Sequence, residues 1–157
     1  MRAVLGAALL SLLGGCGGSD GGSSASAAVS LSVSPSPIQE GPCPAAHCGT
    51  LANQDEVAGT LRVRETGGVG LGLTSIAMTL RATASGATIA SGQLDATAVS
   101  QLAGTARVDA NGELGVPVAV HYDSAAGGQP ATLTLVVSGS DDRGHSLSQT
   151  TTVAVTP

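Results

Sequence analysis

The sequence predicts an all-β protein, a single antiparallel β-sandwich of about seven to eight strands over residues 28–157. Three observations carry this. From Ala28 onward the dominant hydropathy period is two, the period of a half-buried strand. Gly, Asn, Asp and Pro interrupt the apolar runs at short intervals, as turns require. No window there sustains the period of a helix of ordinary length, because β-branched residues, alternating Thr and punctuating Gly recur throughout. Two segments of different composition precede the domain, a leader over residues 1–15 and a Gly/Ser-rich stretch over residues 16–27.

The leader has a basic start (the Met1 amine and Arg2), an apolar run of eleven residues from Ala3 to Leu13, and the small residues Gly14 and Gly15. That is the layout of a secretory signal peptide. Eleven residues fall short of the roughly 20 needed to cross a hydrocarbon core as a helix. The next four residues, Leu13-Gly14-Gly15-Cys16, resemble the lipobox of bacterial lipoproteins. The resemblance implies cleavage before Cys16, diacylglycerol on its thiol and acylation of the new amine. Each buried methylene contributes about 0.8 kcal/mol, so two or three acyl chains anchor a protein that one chain would not. The expected location is the bacterial cell envelope; Gly17 after the cysteine resembles outer-membrane sorting where the host has two membranes.

After Cys16, "GGSDGGSSASAA" lacks any large apolar residue and has the composition of a flexible tether. Its Gly17-Gly18-Ser19-Asp20-Gly21 matches the G-x-S-x-G pattern of hydrolase nucleophile elbows. That mechanism needs a strained strand-to-helix turn, which a Gly/Ser tether does not supply, so Ser19 is not expected to be catalytic. The mature chain of 142 residues suits one domain. It carries five arginines, no lysine and eleven carboxylates, a net charge of about −6. Phosphate recognition and attraction to anionic headgroups both need clustered cations. Nucleic acid is therefore not an expected partner, and the membrane is reached only through lipid on Cys16.

Along the domain, "AVSLSVS" alternates Val29, Leu31 and Val33 with serines until Pro35 and Pro37, which cannot donate to a ladder. This marks an edge strand that stops or crosses over. In "EGPCPAAHCGT", Cys43 and Cys48 are the two cysteines left after lipidation, and an oxidising compartment favours pairing them. A metal reading would add His47 to both thiolates, at most three ligands in a crowded cluster unlike the separated pairs of structural zinc sites. "VAGTLRVRE" places Val57, Leu61 and Val63 on one face, and "SIAMTLRA" does so with Ile76, Met78 and Leu80. Between them Thr66–Leu73, "TGGVGLGL", reads as a Gly-rich loop or bulge without the spacing of a phosphate-binding loop.

A short strand near Ala87 to Ser91 follows, then a looser region through Ala103. Asn111-Gly112 is a turn signal inside a pair of strands, after which Val116, Val118, Val120 and Tyr122 share a face. "ATLTLVVSG" and "SLSQTTTVAV" form a closing hairpin across "SDDRGH", with Leu133, Leu135 and Val137 facing Thr151, Val153 and Val155. With one aromatic residue in the chain, the core rests on Leu61, Val63, Ile76, Met78, Leu80, Val118, Val120, Leu133, Leu135, Val137, Val153 and Val155.

This strand rhythm from Val29 to Val155, with the terminal "VSGSDDRGHSLSQTTTVAV", resembles the immunoglobulin-like and fibronectin-like domains of bacterial envelope lipoproteins. The resemblance implies a non-catalytic module, structural or protein-binding. The absence of tryptophan, of an inter-sheet cysteine pair and of a tyrosine corner separates it from antibody domains.

The residues that could do chemistry are few. His121 or His145 with Asp123, Asp141 or Asp142 and a serine could build a hydrolase, but no spacing selects a triad. Alternation puts His121 on the wet face, opposite to Val118 and Val120. Asp123, Asp141 and Asp142 could hold calcium, which wants six to eight oxygens, if loops converge at one end; turn chemistry explains the same residues. Asp109 to Glu113 covers half of an EF-hand loop without its later ligands. Tyr122, the one aromatic ring, is a thin basis for a glycan platform. No cofactor is called for. The expectation is a lipid-anchored envelope module that binds a protein through loops or an edge strand, with a small-ligand or calcium-binding domain as the alternative and a hydrolase after that.

Overall fold

Alternation becomes burial along most of each strand of eleven or twelve residues. The computed structural model describes residues 26–49 and 54–157; the leader, Cys16 and Ser19 lie outside the described residues. In chain order the elements are β1 (Val29–Ser34), β2 (Ile38–Gln39), β3 (Gly41–Pro42), α1 (Ala45–Cys48), β4 (Gln54–Glu65), β5 (Leu71–Ala82), β6 (Thr88–Asp95), α2 (Ala96–Ala103), β7 (Arg107–Val108), β8 (Glu113–Asp123), β9 (Ala131–Asp141) and β10 (Ser146–Thr156). Strand takes 60% of the described residues against 12% for helix, so the all-β class holds.

Two sheets share one core. In the first, β4 is central, with β8 along one side and β1 and β3 along the other. In the second, the order is β2-β10-β9-β5-β6, and β7 joins the start of β5. All twelve residues expected in the core are buried, and they form one cluster with Ile38, Val57, Leu71, Leu73, Val99, Val108, Leu114, Val116 and Tyr122. Each large aliphatic side chain so placed contributes about 1.5–3 kcal/mol. The β9–β10 hairpin forms, with Leu135 opposite Thr151 and Leu133 opposite Val153.

The structure corrects the sequence reading in five places. The described residues hold ten strands rather than seven or eight, because three two-residue strands carry too short a pattern to register. The pairing is not wholly antiparallel: past Pro35 and Pro37 the chain crosses to the second sheet, where β2 runs parallel to β10. Leu71–Leu73 belongs to β5, so the Gly-rich connection is shorter than expected, and an irregularity between Leu73 and Ser75 lies within the strand. The supposed loose region through Ala103 is largely α2, an eight-residue helix. Asp95 caps it, accepting from Ala98 N at 2.8 Å, and Gly104 ends it at φ 79 in the left-handed region. Its Val99 is fully buried. The turn through Asn111 closes no hairpin, since β7 pairs with β5 and β8 with β4, and it instead carries the chain from one sheet to the other.

One end of the domain is fastened by carboxylates. Glu65, at the end of β4, is fully buried and accepts from the backbone N–H groups of Ala28, Gly67, Gly68 and Asn111 at 3.1, 2.6, 2.9 and 2.8 Å. It thereby joins the entry of the chain, the β4–β5 connection and the β7–β8 turn. Gly67 must be glycine there, because a Cβ would stand 2.6 Å from Ser26 O and 2.8 Å from Ala28 N. Burial pushes the Glu65 pKa up, and the four N–H donors outweigh it, bringing it down from 4.5 to about 2. Among the described residues no buried side-chain polar atom lacks a partner.

Because the folded pKa of Glu65 is depressed, its contribution is complete above about pH 4.5 and is lost as pH falls toward 2. Chemical denaturation across that window should show wild-type stability falling more steeply than that of Glu65→Gln; parallel pH profiles would exclude this role. In the core, Ile76→Ala should cost about 2–5 kcal/mol. Leu102→Ala, at a half-exposed position on α2, should stay within about 0.5 kcal/mol. Denaturation midpoints that rank these two the other way would mean the burial pattern is misassigned.

Candidate functional site

The three histidines of the chain occupy two ends of the domain. His121 lies on the outward face of β8, directly opposite Glu56 of β4, while their neighbours Val120 and Val57 pair on the inward face. His47 reaches the same place from α1. That helix is a single turn in which His47 and Cys48 N–H donate to Pro44 O and Gly49 N–H to Ala45 O. The expected disulfide between Cys43 and Cys48 closes the turn, with Cα atoms 6.0 Å apart. Cys43 N–H also donates to Gln54 O, which ties α1 to the start of β4.

Both imidazoles meet one carboxylate oxygen. His47 Nδ1 lies 2.6 Å and His121 Nε2 2.8 Å from Glu56 Oε2, with the ring centroids 6.0 Å apart. Glu56 is nearly buried, whereas the side chains of His47 and His121 are 51% and 37% exposed, so incoming atoms can reach the imidazoles. Burial pushes the Glu56 pKa up, and the hydrogen bonds from His47 and His121 outweigh it and hold it below its ordinary value. A cleft of about 370 Å³ adjoins the pair, lined by His47, His121, Leu94, Leu102, Pro117 and Ala119 among others. His121 is therefore not simply solvated, as alternation alone suggested.

The calcium candidates do not converge. Asp123 ends β8 and accepts from Ala125 N–H in the turn Ser124–Ala126. Asp141 and Asp142 lie at the other end, since Asp141 pairs with Leu71, the residue that β7 joins on its way to the start of β8. An eleven-residue strand separates the two ends. The oxygens are also taken. Arg107 donates to both oxygens of Asp142 at 2.7 Å, a bond that lowers the Asp142 pKa and raises that of Arg107.

Asp141 is nearly buried and accepts from Ala27, Arg143 and His145 N–H and from the His145 ring. Burial raises its pKa and these bonds more than reverse the effect, leaving it well below the usual range. Asp141 and His145 Nδ1, 2.9 Å apart, have the spacing by which a carboxylate orients a catalytic imidazole, beside a cavity of about 390 Å³ that Ser26 and Ser146 help to line. Among the described residues no serine hydroxyl is hydrogen-bonded to His145, and the aspartate closes the turn back to β10.

Tyr122 faces inward and its hydroxyl donates to Glu40 at 2.7 Å. Burial first, then that carboxylate, raises its pKa. It serves the core, so it offers no exposed platform for a sugar.

The chain matches no protein-family profile and no curated protein. Solved structures share its fold. One is a target of the Northeast Structural Genomics Consortium, at 10% identity and TM-score 0.56, with 84% of this chain and 87% of that one covered. Another is the putative ApaA protein of Bordetella pertussis, at 10% identity and TM-score 0.55, covering 83% and 94%. At such identities the likeness is one of fold alone.

Peptide mapping without reduction should recover Cys43 and Cys48 in one linked fragment, and free thiols in protein taken from its native compartment would contradict that. Because the closed loop is short, Cys43→Ser combined with Cys48→Ser should lower stability by only about 1–2 kcal/mol. Loss of the global fold in that variant would mean that α1 carries more of the structure than its exposed residues suggest.

Proposed function

We propose that the protein is a lipid-anchored, non-catalytic module of the bacterial cell envelope, a single immunoglobulin-like sandwich that acts as a structural or protein-binding element. The observation that carries this reading is Leu13-Gly14-Gly15-Cys16, placed after an apolar run too short to span and before a Gly/Ser-rich tether. Among the described residues no helix is long and apolar enough to cross a membrane.

The geometry of the domain supports presentation away from the anchor. The chain enters beside Asp141 and Glu65, to which Ala27 and Ala28 are hydrogen-bonded. Glu56 lies nine residues back along β4 from Glu65, about 30 Å at 3.3 Å per residue. The His47–Glu56–His121 cluster thus stands at the end remote from Ala27 and Ala28, and its cleft runs from there toward the middle of β4 and β8. Among the described residues strand β6 pairs only with β5, and it is mostly exposed, an edge to which a partner strand can add main-chain hydrogen bonds. Two sheets around one core agree with an immunoglobulin-like arrangement, and the crossover of β2 to the side of β10 is the departure from a purely antiparallel one.

Intact-mass analysis of membrane-extracted protein should show a chain that begins at Cys16 and carries acyl mass. Cys16→Ser should move the protein out of the membrane fraction. Recovery of unmodified Cys16, or membrane retention of the variant, would overturn the reading.

A further inference from the structure

We propose that His47, Glu56 and His121 form a zinc-binding site at the end of the domain remote from the tether. This is independent of lipid attachment and of the module's partner. Two imidazoles and one carboxylate are the donor set of open zinc sites, in which three protein ligands leave a fourth position for water or another ligand. Here the three donor atoms, His47 Nδ1, Glu56 Oε2 and His121 Nε2, all lie within 4.8 Å of one another. Zinc bonds of about 2.0–2.1 Å in a tetrahedron put ligand atoms about 3.3 Å apart. The present oxygen-to-nitrogen separations of 2.6 and 2.8 Å therefore need to open by only a little over half an ångström. Both imidazoles are partly exposed, so side-chain rotation provides that much while the strands stay in place.

The surroundings favour a cation with an open coordination position. Asp55 and Asp123 stand at the same end, and the nearest arginines in register on β4, Arg62 and Arg64, are six and eight residues from Glu56. The adjoining cleft, with its Leu94, Leu102, Pro117 and Ala119 walls, leaves room beside the imidazoles for a fourth ligand. The disulfide explains why the set is His47 rather than a thiolate. Cys43 and Cys48 lie close enough to His121 to make an alternative cluster, but as a disulfide they cannot coordinate as thiolates, and their bridge instead fixes the turn that holds His47. His145, held by Asp141 at the opposite end, is an internal control.

The test uses the purified full chain as isolated from its native compartment, whether or not it carries lipid, kept oxidised, titrated with zinc by calorimetry and followed through the three histidine ring resonances. The expected result is one zinc per chain, with the His47 and His121 resonances shifted and that of His145 unmoved. Glu56→Gln and His47→Gln should each weaken binding on the order of 10–100-fold or more, while His145→Gln leaves it unchanged. His47 sits on an exposed single turn, so its variant keeps the fold, and circular dichroism checks the others. Absence of zinc binding, binding that shifts His145, unchanged affinity in His47→Gln, or binding that appears only after reduction of the disulfide would each overturn the proposal.

Discussion

The register of β4 against β8 is the constraint on which both the core and the candidate site depend. With Val57 opposite Val120, Leu61 opposite Val116 and Val63 opposite Leu114, the inward positions of the two strands are apolar together. The same register sets Glu56 opposite His121 on the outward face. Side chains alternate with a period of two, so a slip of one residue would move three aliphatic pairs to water and turn a carboxylate inward. Packing energy thus positions polar groups that have no packing energy of their own.

Strand β4 carries two carboxylates with different fates. Glu65 is enclosed and satisfied by four backbone donors, which leaves it no free acceptor capacity and makes it a fastening of chain segments. Glu56 is satisfied at one oxygen by two side chains that are themselves partly exposed. The first arrangement is closed and structural, as is Asp141 beside it. The second can exchange its imidazole N–H bonds for a metal or another ligand. With nearly all large side chains committed to the core, the molecule's adaptable surface lies at this end and along the β6 edge.

The alternation of the long strands was legible because burial on one face writes itself into every second residue; all twelve expected core residues followed from it. The α2 helix was missed because eight residues are a short window in which only Val99 is a large, fully buried side chain, yet Ala96, Val99 and Ala103 share a face at helical spacing, and Asp95 before them and Gly104 after them are helix boundary signals that a search for caps would have caught. The disulfide was legible from the cysteine count and the expected oxidising compartment. The Glu56 cluster was not, since no local pattern links positions 47, 56 and 121, and only strand pairing brings them together. Convergence of Asp123 with Asp141 and Asp142 failed for the related reason that loops near in character lie at opposite ends of an eleven-residue strand.

The most direct test of this account is a map of nuclear Overhauser contacts between β4 and β8 in the mature protein. The account predicts direct cross-strand contacts pairing Val57 with Val120 and Glu56 with His121, together with contacts from the His47 ring to His121. A ladder displaced by one residue, with Glu56 directly opposite Val120 or Tyr122, would contradict it and would dissolve the core and the candidate site at once.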